Sequence, residues 1–140
     1  MYILDTNVIS ELRKAKTLNA DPNVVQWASS IELPLLFISV ITVMELEMGV
    51  LLIERKDKIQ GQMLRHWLES HVLKAFENRI LPINTQTAQC CAKLHVPNPR
   101  SDRDALIAAT GMVNKMTVVT RNINDFKLTK VALINPWVGE

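Results

Sequence analysis

Four carboxylates stand where chemistry is easiest to build in this chain: Asp5 directly after the apolar run Tyr2–Leu4, Glu45 one helical turn beyond the run Leu35–Val40, Asp104 at the head of DALIAAT, and Asp125 shortly after Thr117–Thr120. In a parallel α/β sheet, ligands gather outside the carboxyl ends of the strands. Asp5, Glu45 and Asp125 follow such ends, and Asp104 opens the helix leading into the last of these strands. Carboxylates gathered within a few ångströms repel, and some take up protons unless a counter-charge is present. A divalent cation removes that penalty. The donors are all oxygen, without Cys or His spacing, which suits Mg²⁺ or Mn²⁺ over zinc. Such an ion activates water and neutralises charge growing on a phosphorane and its leaving oxygen, so cleavage of a phosphodiester is the chemistry this set would serve. Each residue also has a local reading. Asp5 can cap the next helix, Thr42-x-x-Glu45 and Ser101-x-x-Asp104 match capping boxes, and Asp125 suits a turn.

The elements that must position these groups alternate between strand and helix. Tyr2–Leu4 reads as a short strand, and Val8, Ile9 and Leu12 place a helix over residues 7–13. Asp21-Pro22 supplies a cap and a first-turn proline for a helix through Ser30. Leu35–Val40 reads as a strand covered on both faces. From Thr42 the spacing is helical, with Val43, Leu46, Val50 and Ile53 on one face, and a second long helix runs from Lys58 to Phe76 with Met63, Trp67 and Leu68 as core contacts. Arg79–Ile83 suits an edge strand because of Pro82. Thr85 then caps a helix presenting Ala88, Cys91, Ala92 and His95. HVPNPRS is a loop, DRDALIAATGM a buried helix, Thr117–Thr120 a strand, RNINDF a turn-like loop, and Val131–Ile134 a last strand. Strands separated by helices predict a parallel sheet with helices on both faces.

Composition narrows the class. The chain has 140 residues, 48% hydrophobic and 21% charged, with 4 Gly and 6 Pro, which predicts one folded domain over residues 1–140 and no linker. A net charge of +2 neither demands nor excludes nucleic acid, and the clusters Arg13, Lys14, Lys16 and Arg55, Lys56, Lys58 also suit solvated helix ends. Cys90 and Cys91 are adjacent, which fits neither a zinc knuckle nor a C-x-x-C pair, and reads as reduced thiols in the cytoplasm. His66, His71 and His95 lack ligand spacing. The apolar stretch Leu35–Ile53 approaches membrane-spanning length, but Glu45 and Glu47 in its middle argue for strand into helix, with no membrane contact.

Taken in order, MYILDTNVISEL, SVITVMELEMGV, DALIAAT and VVTRNINDF, followed by LINPW, resemble the signature segments of PIN-domain ribonucleases, particularly the VapC- and FitB-type toxins of bacterial toxin–antitoxin pairs. The resemblance spans nearly the whole chain. It implies a three-layer α/β/α domain with a central, mainly parallel sheet, a homodimer, and Mg²⁺- or Mn²⁺-dependent endonucleolytic cleavage of RNA. It further implies inhibition by a small cognate antitoxin, through a basic or polar segment entering the acidic crevice, with DNA reached only indirectly through that complex.

By position, the resemblance makes Asp5, Glu45 and Asp104 the acidic set, with Asp5 and Asp104 as metal ligands. Some relatives carry aspartate directly after T-R; here that place is Asn122, and Asp125 follows three residues later within T-R-N-x-x-D-F. Asn122 offers a neutral oxygen and Asp125 a charge, so either can complete the site, and one tight ion with at most a weak second is expected. Thr6 and Thr120 stand beside the ligands and suit orienting hydrogen bonds, or are ordinary turn and strand-end threonines. Arg13, Lys14, Arg100, Arg103 and Arg121 are the candidates for RNA phosphates, with general solubility as the alternative. A PIN-like module that binds RNA or a partner without cutting is the alternative function. A receiver-like domain fits less well, for want of its aspartate on a middle strand and lysine after a late one.

Overall fold

β1 (Tyr2–Leu4) forms the centre of a five-stranded parallel sheet in the order β3-β2-β1-β4-β5, with β2 Leu36–Ser39, β3 Ile80–Leu81, β4 Thr117–Val119 and β5 Leu133–Ile134. The computed structural model describes residues 1–15, 17 and 19–138, so Lys16 of the first basic cluster lies outside the described residues. The chain lays down β1, β2 and β3 in one direction, then crosses back to add β4 and β5 on the other side of β1. That reversal puts the topological switch point between β1 and β4.

Side chains alternate along every strand, as the pleat requires. Leu4, Val119, Leu36 and Ile38 enter one core with Val8, Ile9, Val24, Leu46 and Val50. Ile3 and Val118 enter the other, with Ile107, Ala108, Met116 and Phe126. The first face is covered by α1 (Thr6–Leu12), α2 (Pro22–Ser30), α3 (Val40–Lys56), α4 (Lys58–Trp67) and, after the π-helical turn Leu68–Val72, α5 (Leu73–Ala75). The second is covered by α7 (Asp102–Val113) and α8 (Ile123–Phe126), with α6 (Thr85–Leu94) packed on α7 through Cys91, Ala105 and Ala109. Burial on both faces explains why the strands read as unbroken apolar runs.

Several local expectations are corrected. The third helix begins at Val40, not at Thr42. Ser39, which ends β2, caps it by accepting from the Ile41 amide at 3.0 Å, and Thr42 is a fully buried interior residue. Asn84, not Thr85, caps α6, where it accepts from both the amide and the hydroxyl of Thr87. Thr87 and Cys91 are the buried residues of that helix, while Ala88 and Ala92 are exposed. RNINDF contains α8 in place of an open turn, because Phe126 is fully buried and draws the segment onto the second core. Met63 is 68% exposed and is no core contact.

Gly61 is where α4 crosses α3 closest: a Cβ there would stand 2.7 Å from Glu54 Cα. Backbone cannot yield as a side chain does, so Gly61→Val is expected to lose about 2–3 kcal/mol of stability in urea unfolding, despite the better helix propensity of the substituent. A change within 0.5 kcal/mol would mean that the helix pair separates without cost.

Candidate active site

The structure brings the switch point and the acids together. A cavity of about 530 Å³ opens there, lined by Asp5, Thr6, Asn7, Ser10, Glu11, Arg13, Lys14, Glu45, Asp104, Arg121, Asn122 and Trp137. Asp5 comes from the end of β1, whose ladder continues through its amide to Val119 O at 2.9 Å. Its backbone is extended (φ −67°, ψ 157°), as a helix cap requires, and Oδ1 accepts from the Thr6 amide at 2.8 Å. Its other oxygen, Oδ2, accepts from Thr120 Oγ1 at 2.7 Å across the switch point. Cap and site residue are therefore one side chain.

Thr6 serves the next acid. Its hydroxyl, 2.7 Å from Glu45 Oε1, donates to that carboxylate, and Thr42 Oγ1 stands 3.2 Å away. Glu45 Oε2 lies 3.5 Å from Arg103 Nη1. Asp104 sits in the first turn of α7 and faces the cavity half-buried. Asn122 lines the cavity and donates its amide to Thr120 Oγ1 at 3.0 Å. Asp125 is exposed on α8 and does not line the cavity, yet its charge is felt at both Asp5 and Asp104.

Burial pushes the Asp5 carboxyl up; Thr120 and the Thr6 amide pull it down, and Glu45 and Asp125 push it up again. Asp104 is pushed up to about 6, first by burial and then by the charges of Asp5, Asp125 and Glu45, against the pull of Arg103. This is the signature of like charges held together without enough counter-charge. Among the described residues, no three His, Cys, Asp or Glu side chains already stand close enough to enclose an ion by themselves. The fit is to a cation that keeps much of its water and uses one or two carboxylates, which is how Mg²⁺ is commonly held.

The basic candidates divide. Arg13, Lys14 and Arg121 line the cavity. Lys14 Nζ is 3.2 Å from Glu11 Oε1, and Arg103 holds Glu45. Arg100 is placed elsewhere. Its guanidinium donates to the carbonyls of Leu94 at 2.7 Å and Leu128 at 3.4 Å, which explains how it anchors the HVPNPRS loop.

Sequence reasoning assigned no role to Asn7, Glu11 or Trp137. Asn7 Nδ2 reaches Asp5 Oδ2 and Thr120 Oγ1, each at 3.4 Å, and its Oδ1 accepts from the Arg121 amide at 3.3 Å. Its place in LDTN was the only signal. Glu11 accepts from the Asp21 amide at 2.9 Å, which joins α1 to α2.

A family model described as the PIN domain matches residues 2–132. The chain is 38% identical to the toxin FitB of Neisseria gonorrhoeae over 98% of this chain and 99% of that one. It is 33% identical to the VapC ribonuclease Y4jK of Sinorhizobium fredii over 98% of each. A solved structure of FitAB bound to an IR36 DNA fragment superposes with a TM-score of 0.88 at 34% identity, covering 100% of this chain and 98% of that one. The architecture it shares is the three-layer α/β/α arrangement around the parallel sheet.

Proposed function

Since the chain belongs to the PIN domain family, we propose that it is the ribonuclease toxin of a toxin–antitoxin pair, an endonuclease that hydrolyses RNA phosphodiesters with a carboxylate-held Mg²⁺ or Mn²⁺. The observation that carries this reading is the pair Asp5 and Asp104, both pushed toward the protonated form at one switch-point cavity. An arrangement that penalises its own charges is one that a cation completes.

A bound divalent ion supplies Lewis acidity and water activation. Asp5 and Asp104 hold it, with Asp5 fixed in aim by Thr120 and Thr6. Glu45, steered by Thr6 Oγ1 and Arg103, is the group set to take the proton of the attacking water. Asn122 contributes a neutral amide at the rim and Asp125 a more distant charge. With one anion fewer at that rim, one ion is held tightly and a second weakly.

The test is cleavage of RNA with the cut sites mapped. Cleavage is expected with Mg²⁺ or Mn²⁺ and none with EDTA, and calorimetry is expected to show a single tight site. Undiminished cleavage in EDTA would remove the metal from the mechanism, and two equal tight sites would remove the asymmetry.

The partner is read from neighbouring surfaces. Beside the acidic cavity, and sharing Arg13 with it, lies an apolar cavity of about 340 Å³ lined by Leu12, Val25, Ala28, Leu33, Trp67 and Phe76 among others. An antitoxin segment with an apolar side and a basic end fits both at once. DNA contact then belongs to the complex. A second copy of the chain fits the stripe Val40, Met44, Met48, Leu51 and Leu52 along α3, which continues to Ile59 and Met63 of α4, all 36–73% exposed. Light scattering is expected to give a dimer for the native chain and a monomer for Met48→Lys with Leu52→Lys. A native monomer at micromolar concentration would discard the dimer.

A further inference from the structure

Trp137 lines the acidic cavity although it has no part in holding the carboxylates. The Arg121 guanidinium lies over its ring, 5.4 Å from the centroid. Both partners are fixed from behind. The Trp137 amide donates to Asn135 Oδ1 at 3.0 Å, and its carbonyl accepts from Asn23 Nδ2 at 2.9 Å. The Arg121 amide donates to Asn7 Oδ1, and Asn7 in turn touches Asp5 and Thr120, so the pair is tied to the carboxylate that anchors the site.

Two cavity cations are left without a carboxylate. Lys14 and Arg103 are paired with carboxylates and Arg100 is spent on backbone carbonyls, whereas Arg13 and Arg121 form no salt bridge among the described residues and are exposed. Arg13 lies over Trp67, 5.8 Å from its centroid, toward the apolar cavity; only Arg121 lies over a ring that lines the acidic one. Backed by the indole on one side, the exposed guanidinium keeps surface open to solvent on the other. Such a surface, flat and positive, accepts a nucleobase by stacking regardless of the base's identity.

We propose that Arg121, supported by Trp137, is a stacking shelf for one unpaired nucleobase of an RNA strand whose adjoining phosphodiester enters the acidic cavity. This rests on the ribonuclease reading above. It requires RNA that is unstacked beside the cut, because a base inside a duplex has both faces covered by its stacked neighbours. It also assigns Trp137 as a positioning residue acting through Arg121.

The experiment walks a single abasic nucleotide through the positions flanking the mapped cut in a short unstructured RNA. The wild type is compared with Arg121→Gln, Trp137→Ala and Trp137→Phe. With wild type, one abasic position is expected to raise KM about 10- to 100-fold with little change in kcat. Arg121→Gln and Trp137→Ala are expected to show that rise on intact RNA already, with no further effect of the abasic position, while Trp137→Phe stays near wild type. Should Trp137→Ala fail to fold, Arg121→Gln carries the comparison. Equal abasic sensitivity in all proteins overturns the shelf and leaves the ribonuclease reading standing. So does unchanged RNA kinetics with lost antitoxin binding, which would mark a protein-docking surface. If wild type cuts no RNA under Mg²⁺ or Mn²⁺, the ribonuclease reading falls, and fluorescence anisotropy of the same oligonucleotides decides the shelf: binding that ignores the abasic position overturns it.

Discussion

Asp5→Asn is expected to lower RNA cleavage by about 10³-fold or more while leaving the fold intact. The substitution keeps Oδ1, so the cap on the Thr6 amide survives, and only the bonds to Oδ2 from the Thr120 hydroxyl and Asn7 Nδ2 are given up. What disappears is one negative charge from the proposed ion site. Loss of metal stabilisation of a transition state is worth several kcal/mol, and each 1.36 kcal/mol is tenfold in rate. Far-ultraviolet circular dichroism should match wild type, and in EDTA at neutral pH the variant should be no less stable than wild type, since burial penalises the native charge here too. Cleavage within tenfold of wild type would show that Asp5 is a helix cap and no more.

Asp104→Asn should do something rarer: remove activity and stabilise the metal-free protein. The native carboxyl titrates near 6, against an ordinary value of 3.8. Between those values the native state holds a proton that the unfolded chain has released, so folding stability falls as pH rises through that window, and the penalty is complete above it. The full difference corresponds to roughly 3 kcal/mol, and the partial solvent contact of Asp104 reduces this to about 1–2 kcal/mol. Asparagine carries no such penalty. Urea unfolding in EDTA should therefore find the variant more stable at pH 7.5 by about 1–2 kcal/mol, or about 3–6 °C in Tm, and nearly equal to wild type at pH 4. Added Mg²⁺ should stabilise wild type more than the variant. A gap of the same size at both pH values would locate its origin in packing, outside the charge cluster.

Sequence alone went far where the physics is local. The short apolar runs became parallel strands because residues buried on both faces leave no polar alternation to read, and Asp5 followed from its place after the first of them. What escaped is what distance hides. Thr6 meets Glu45 across 39 positions and Asn7 meets Thr120 across 113. Hydrophobicity alone places Met63 of α4 inside; the crossing at Gly61 rotates that side chain to the surface. RNINDF has turn composition, and only the burial of Phe126 makes a helix of it. Trp137 was visible within LINPW, but its pairing with Arg121 depends on where β5 returns beside β4.

The bond from Thr120 to Asp5 joins residues 115 apart in the chain. At about 5–20 residues per second, a ribosome making this protein spends roughly 6–23 s between the two. During that interval the emerging chain has no cutting site, whatever its amino-terminal half has folded into. On the ribonuclease reading that interval is a safety catch, and the newly made chain is harmless to the message and machinery producing it until the second half of the switch point arrives. A fragment ending at Met116 should accordingly be inert toward RNA, and adding residues 117–138 in trans should restore cleavage only if β4 can insert beside β1.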